Sequence, residues 1–163
     1  MERLILLRHG KAETGSATGA DFDRVLTERG RRDSALTAAA LAEAGFTPDL
    51  VLVSPAARAA QTWEAARAQF PKARVEVLRA LYNAEPDVIM AEAEQAGADA
   101  GTVMVVAHNP GLHQLAVTLA QRGKDGPDRA RLHAGFPTAA AAAFDLSARR
   151  LLMFTPKVLG GRS

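Results

Sequence analysis

Four side chains in this sequence have types and settings suited to chemistry on an anion. Arg8 and His9 close the apolar run Leu4–Leu7, Arg58 follows four residues after Ser54 in the segment SPAAR, and His108 closes the apolar run Val103–Ala107. A guanidinium is permanently charged and meets phosphate oxygens as a bidentate fork. Two of them can hold a phosphoryl group and offset the charge that spreads over its oxygens during transfer. A neutral imidazole, with an ordinary pKa of about 6.5, is a nucleophile near neutral pH. It can accept a phosphoryl group and release it to water, which splits one hard step into two. In such a site one histidine attacks and the other donates a hydrogen bond to developing charge. Gly10, with no side chain, is expected to leave space for the phosphate beside His9 and to allow an unusual turn. The chain has no cysteine, so a thiol nucleophile, a disulfide framework and a zinc–cysteine site are excluded.

These residues need a frame that brings them together. RLILLR reads as a first strand, PDLVLVS as a second, RVEVL as a short third and GTVMVVAH as a fourth. Between them lie helical patterns. LTERGRRDSALTAAALAEAGF places Leu36, Ala40 and Ala44 on one face, with Gly45 as the stop. SPAARAAQTWEAARAQF is expected to start on Ser54 as N-cap with Pro55 in the first position, its N-terminus lending donors and dipole to an anion. EPDVIMAEAEQA carries Pro86 near its start, and PGLHQLAVTLAQRG ends at Gly123. Lys124–Pro137 reads as an irregular loop, and TAAAAAFDL and RRLLMFTP as a hairpin around the turn SAR.

Alternating strands and helices imply an α/β fold: a three-layer sandwich with a mostly parallel central sheet and helices on both faces. Runs such as LILL, LVLV and VMVV suit strands buried on both sides. Ligands of such sheets bind outside the carboxyl ends of the strands, and that is where Arg8, His9, Arg58 and His108 fall. The convergence carries the reading, since each residue alone is as well explained by surface or core packing.

Bulk properties agree. The 163 residues suit one domain, 1–163, with 48% hydrophobic and 23% charged residues. A net charge of +2, mixed along the chain, gives no ground for nucleic acid as a partner. No signal peptide and no membrane-length apolar run is read, so a cytoplasmic location and no membrane partner are expected. A metal-dependent hydrolase is disfavoured, because no carboxylate or second histidine is spaced to complete a site with His9, and Arg8 would repel a cation.

The segments LLRHGKAE, SPAARAAQT and VVAHNPG resemble the histidine phosphatase superfamily, the phosphoglycerate-mutase-like fold. Length and the segment DFDRVLTERG look most like its SixA-type phosphohistidine phosphatase branch, and FPTAAAAAFDL and FTPK extend the resemblance over nearly the whole chain. The resemblance implies that His9 is the phosphorylated histidine, Arg8 and Arg58 the phosphate clamp, and His108 the second histidine of the pocket. It implies that Gly10 orients the His9 ring through its backbone, and that Asn109 and Gly111 supply the turn after the fourth strand. It also implies no cofactor, no metal, no large cap domain and an open site. The substrate would be a phosphorylated protein domain or a small phosphorylated molecule, with a phosphoprotein-binding module as the non-catalytic alternative. Many relatives draw a general acid from the region after the third strand, where Glu85 is the best-placed carboxylate here, equally explained as a helix N-terminal residue. Arg24 stands where relatives often carry Arg-Pro-Leu, with Val25 replacing the proline, and Asp21 and Asp23 lie near enough to reach the site.

Overall fold

The computed structural model describes residues 1–159. These form one six-stranded sheet of β1 (Arg3–Arg8), β2 (Leu50–Val53), β3 (Arg74–Val77), β4 (Thr102–Ala107), β5 (Ala141–Asp145) and β6 (Arg150–Phe154), in the order β3-β2-β4-β1-β5-β6. β3, β2, β4 and β1 are parallel, β5 is antiparallel to β1, and β6 is antiparallel to β5. The helices are α1 (Glu28–Glu43), α2 (Ala57–Ala66), α3 (Pro86–Ala96), α4 (Gly111–Gln121) and α5 (Pro127–Ala134). None of them is long and apolar enough to cross a membrane.

Strand residues alternate between two cores, as the pleat requires. Leu4, Leu6, Leu52, Val103 and Val105 pack with Ile89, Leu112, Leu115 and Leu132 of α3, α4 and α5. Ile5, Leu7, Val51, Val53, Met104 and Val106 pack with Ala38 and Leu41 of α1, Ala59 and Ala66 of α2, and Phe70. Both faces of the central strands are therefore dry, which is why they read as unbroken apolar runs. Each fully buried Leu or Ile contributes roughly 1.5–3 kcal/mol. That stabilisation offsets the cost of the polar groups held at the strand ends.

Three sequence expectations are corrected. α2 starts at Ala57, with Ala56 as a cap lacking any side-chain hydrogen bond, so Ser54 is not its N-cap. The buried stripe of α1 is Gly30, Asp33, Ser34, Thr37, Ala38 and Leu41, whereas Leu36 and Ala40 are half-buried and Ala44 is exposed. Small polar residues can line that stripe because the Ser34 hydroxyl donates to the Gly30 carbonyl and the Thr37 hydroxyl to that of Ala139. The stretch Lys124–Pro137 holds the short helix α5, pinned by the buried Leu132. The hairpin reading holds as β5 and β6, and α1 stops before Gly45, whose φ of +85° suits glycine.

Candidate active site

The parallel register sets the site. Arg8 pairs with Ala107, and Val53 with Val106, so β1, β4 and β2 end level with one another. The ladder continues one step further: the His9 amide donates to the Ala107 carbonyl at 3.2 Å and the Ser54 amide to the Val106 carbonyl at 3.0 Å. Ser54, His108 and His9 are thus neighbours across three strand ends. The His9 and His108 rings lie 5.2 Å apart, centroid to centroid, and Arg58 enters from the first turn of α2.

His9 and His108 are buried, with 7% and 4% exposure. Nδ1 of His9 is 2.8 Å from the Gly10 carbonyl oxygen. A carbonyl only accepts, so Nδ1 carries the proton and Nε2 keeps its lone pair. Burial, reinforced by the Arg58 and Arg8 charges against the opposing carbonyl of Gly10, pushes the His9 pKa from 6.5 down to about 4. Burial, the neighbouring His9 and Arg58 push His108 down to about 3. Both rings are neutral at pH 7. Burial and the Arg58 charge also lower the pKa of Arg8.

The Gly10 carbonyl holds the His9 ring through the backbone, as the resemblance implies, but the space beside Gly10 is used otherwise than expected. A Cβ there would lie 2.5 Å from the Gly30 carbonyl oxygen and 2.7 Å from the Ser34 hydroxyl. The room beside Gly10 belongs to α1 rather than to an anion, and its φ is not in the left-handed range. Reciprocally, a Cβ on Gly30 would lie 2.2 Å from the Lys11 carbonyl oxygen. The Gly10 amide donates to the Thr62 hydroxyl, which donates in turn to the Arg58 carbonyl. The turn carrying His9 is therefore tied to the helix carrying Arg58.

Arg8 donates from one terminal nitrogen to the Phe136 carbonyl at 3.1 Å, and the Asn109 side-chain amide donates to the same oxygen at 2.9 Å. The Asn109–Pro110 peptide is cis. Gly111 opens α4, where a Cβ would lie 2.0 Å from the Ala84 carbonyl oxygen, so close packing explains its small size. Three buried nitrogens of the group have no protein partner: Nε of Arg8, Nε of Arg58 and Nδ1 of His108. Three buried nitrogens on cationic or imidazole side chains suit a tetrahedral anion.

A second layer went largely unread in the sequence. Asp21 accepts from Arg58 at 3.1 Å, from Arg24 at 2.9 Å and from the Tyr82 hydroxyl at 2.7 Å. Arg58 also donates to the Asp21 carbonyl. The Tyr82 bond, with Arg24 and Arg58, holds the Asp21 carboxyl at about 2. Tyr82 stands edge-on to His108 at 5.6 Å and to Phe22 at 5.1 Å. Nothing local marks Tyr82, which reaches Asp21 across 61 residues. Arg24 thus serves this network and the Glu13 carbonyl. Glu85 is exposed at the N-cap of α3, makes no side-chain cap bond, and has no ion pair or side-chain hydrogen bond among the described residues. His133 is exposed on α5, and His113 bonds the Leu132 carbonyl. Among the described residues no group of three or more His, Asp or Glu side chains is arranged to hold a metal ion.

A family model described as histidine phosphatase superfamily (branch 1) matches residues 4–87. An uncharacterized protein of Mycobacterium tuberculosis is 34% identical over 137 residues, 83% of this chain and 84% of its own. An uncharacterized chloroplastic protein of Arabidopsis thaliana is 33% identical over 72% of this chain, which spans only 58% of that relative's length. A crystal structure of SixA from Agrobacterium tumefaciens superposes with a TM-score of 0.83 at 31% identity, covering 95% of this chain and 99% of that one. The protein histidine phosphatase SixA complexed with tungstate superposes at 0.77 with 27% identity, covering 96% and 99%.

Proposed function

The chain belongs to the histidine phosphatase superfamily, and on that premise we propose that it hydrolyses protein phosphohistidine through a phosphoryl intermediate on His9. The observation that carries the reading is the bond from His9 Nδ1–H to the Gly10 carbonyl, which leaves Nε2 as a free lone pair on a ring neutral at pH 7. Nε2 attacks phosphorus in line, and the bond from phosphorus to the leaving nitrogen breaks as that nitrogen takes a proton from solvent. Arg8, Arg58 and His108 hold the equatorial oxygens, where negative charge is spread in the transition state. Water then attacks phospho-His9, the phosphorus–nitrogen bond breaks, and His9 is restored with release of phosphate. No step calls for a metal or cofactor.

The choice of phosphohistidine has two supports. The SixA structures are alike over nearly their full length. Glu85, the candidate acid that is equally explained as a helix N-terminal residue, has no ion pair or side-chain hydrogen bond among the described residues, and an imidazole leaves with less need of a strong proton donor than an alkoxide does. We take residues 1–163 as one domain acting in the cytoplasm on a phosphorylated protein domain.

The test offers the purified protein a phosphohistidine-bearing protein beside small phosphate esters. The expected result is a higher kcat/KM on phosphohistidine, with an acid-labile phosphoryl group trapped on His9 and none in His9→Ala. A preference for esters would move the reading to a small-molecule phosphatase. Phosphate binding without turnover would make the chain a binding module, and His9→Ala with full activity would remove the nucleophile.

A further inference from the structure

Ser54 is fully buried, yet it caps no helix and belongs to no core cluster of apolar side chains. Its hydroxyl oxygen is 2.7 Å from Nε2 of His108. The other partner of that oxygen is the Ala56 amide at 3.4 Å, which only donates. The hydroxyl proton therefore has one acceptor among the described contacts, the His108 ring. If Nε2 carried the proton instead, the serine hydrogen would be left without an acceptor in a dry site, an unfavourable state for a buried donor. The neutral ring then has its proton on Nδ1, the nitrogen that is buried and without a protein partner alongside Arg8 Nε and Arg58 Nε.

We propose that Ser54 is a positioning residue that sets the tautomer of His108, so that Nδ1–H is the donor presented to an oxyanion. In the opposite tautomer Nδ1 would turn a lone pair toward that anion and repel it. The role of the anion as a transferring phosphoryl group rests on the phosphatase reading; the tautomer does not. The arrangement also explains how a ring held neutral by its surroundings can still serve as a donor: the serine decides which nitrogen donates, with no need for the imidazolium form. The logic is that of a second residue orienting a catalytic imidazole.

The experiment is ¹⁵N NMR on histidine-labelled protein, tractable because the chain has only four histidines. His108 is expected as the Nδ1–H tautomer at pH 7 in the wild type, with its Nδ1–H resonance moving on titration with inorganic phosphate. Ser54→Ala is expected to lose the single tautomer and to lower kcat by about tenfold or more, up to the ~10²–10³ seen when an oxyanion donor is removed outright. Ser54→Thr, which keeps the hydroxyl, is expected to retain both the signature and most of the rate. A wild-type His108 protonated on Nε2, or a folded Ser54→Ala with unchanged tautomer and kcat, would overturn the proposal. A protein with the expected tautomer and phosphate response but no phosphohistidine hydrolysis would overturn the functional reading and leave the Ser54 assignment standing.

Discussion

The acid side of the pH–rate profile should lie far below that of an ordinary histidine enzyme. His9 titrates at about 4 instead of 6.5 because burial, with the Arg58 and Arg8 charges, outweighs the bond to the Gly10 carbonyl. A nucleophile of pKa about 6.5 would be only about 3% neutral at pH 5, whereas one of pKa about 4 would be about 90% neutral. The kcat/KM, which reports the free enzyme, should therefore be flat from pH 7 to about 5 and fall only as pH approaches 4. The substrate's own phosphoryl ionisation is divided out by measuring it separately, and stopped-flow formation of phospho-His9 gives the same quantity directly. The shift has a stability consequence of known sign. Between about 6.5 and about 4 the unfolded chain binds a proton that the folded chain refuses, so stability falls as pH drops through that window. For His9 alone the full loss is on the order of 3 kcal/mol; His108, lowered further still, adds its own loss over the same window, so His9→Gln should make this part of the curve shallower and leave the His108 share. An acid limb near 6.5 in kcat/KM, with stability indifferent to pH between 6.5 and 4, would refute the claim that burial keeps this imidazole neutral.

Gly10→Ala should lower stability by about 1–3 kcal/mol, read as a shifted denaturant midpoint, with loss of turnover, since backbone of α1 fills the space; an unchanged midpoint would remove the close-approach argument. Asp21→Asn should tighten inhibition by inorganic phosphate about fivefold, as an exposed carboxylate that competes for Arg58 is worth roughly 1 kcal/mol; weaker inhibition would instead make Asp21 the support that holds Arg58 in place. Glu85→Ala should leave phosphohistidine hydrolysis within about twofold of wild type, because its carboxylate bonds nothing in the site and surface substitutions are usually worth less than about 0.5 kcal/mol; a large loss on this substrate would restore it as the acid.

The reading of strands and helices succeeded where local patterns decide. Runs such as LILL and VMVV have to be buried on both faces, and a sheet of such strands sends Arg8, His9 and His108 to one edge. What failed depended on which strands are neighbours. Ser54 looks like a helix cap in sequence and becomes a histidine partner only because β2 lies beside β4. Asp21, in the turn before α1, and Tyr82, after β3, meet across 61 residues, a pairing no local pattern signals. The stripe of α1 was misphased because Asp33, Ser34 and Thr37 are buried, and apolar periodicity is blind to polar residues that find partners. The backbone bond from Gly10 to the His9 ring follows the expectation, but the space beside Gly10 was not legible, since a sequence does not show which backbone crosses above a glycine. The short helix α5 was missed because a single buried leucine anchors it among charged residues.

The last part of the sequence closes the site opened by the first. Arg8 donates to the Phe136 carbonyl, the Arg8 amide to that of Ala140, and the Ala139 amide to that of His9, while β1 is flanked by β4 and β5. The Arg8–His9 strand is translated first, and both of its sheet neighbours, β4 and β5, come later in the chain. Premature stop codons anywhere before Phe136 should therefore yield catalytically silent fragments, however much of the α/β layering they retain. Co-expressing the β5–β6 segment in trans is expected to revive only those fragments that still carry Arg58, His108 and α4.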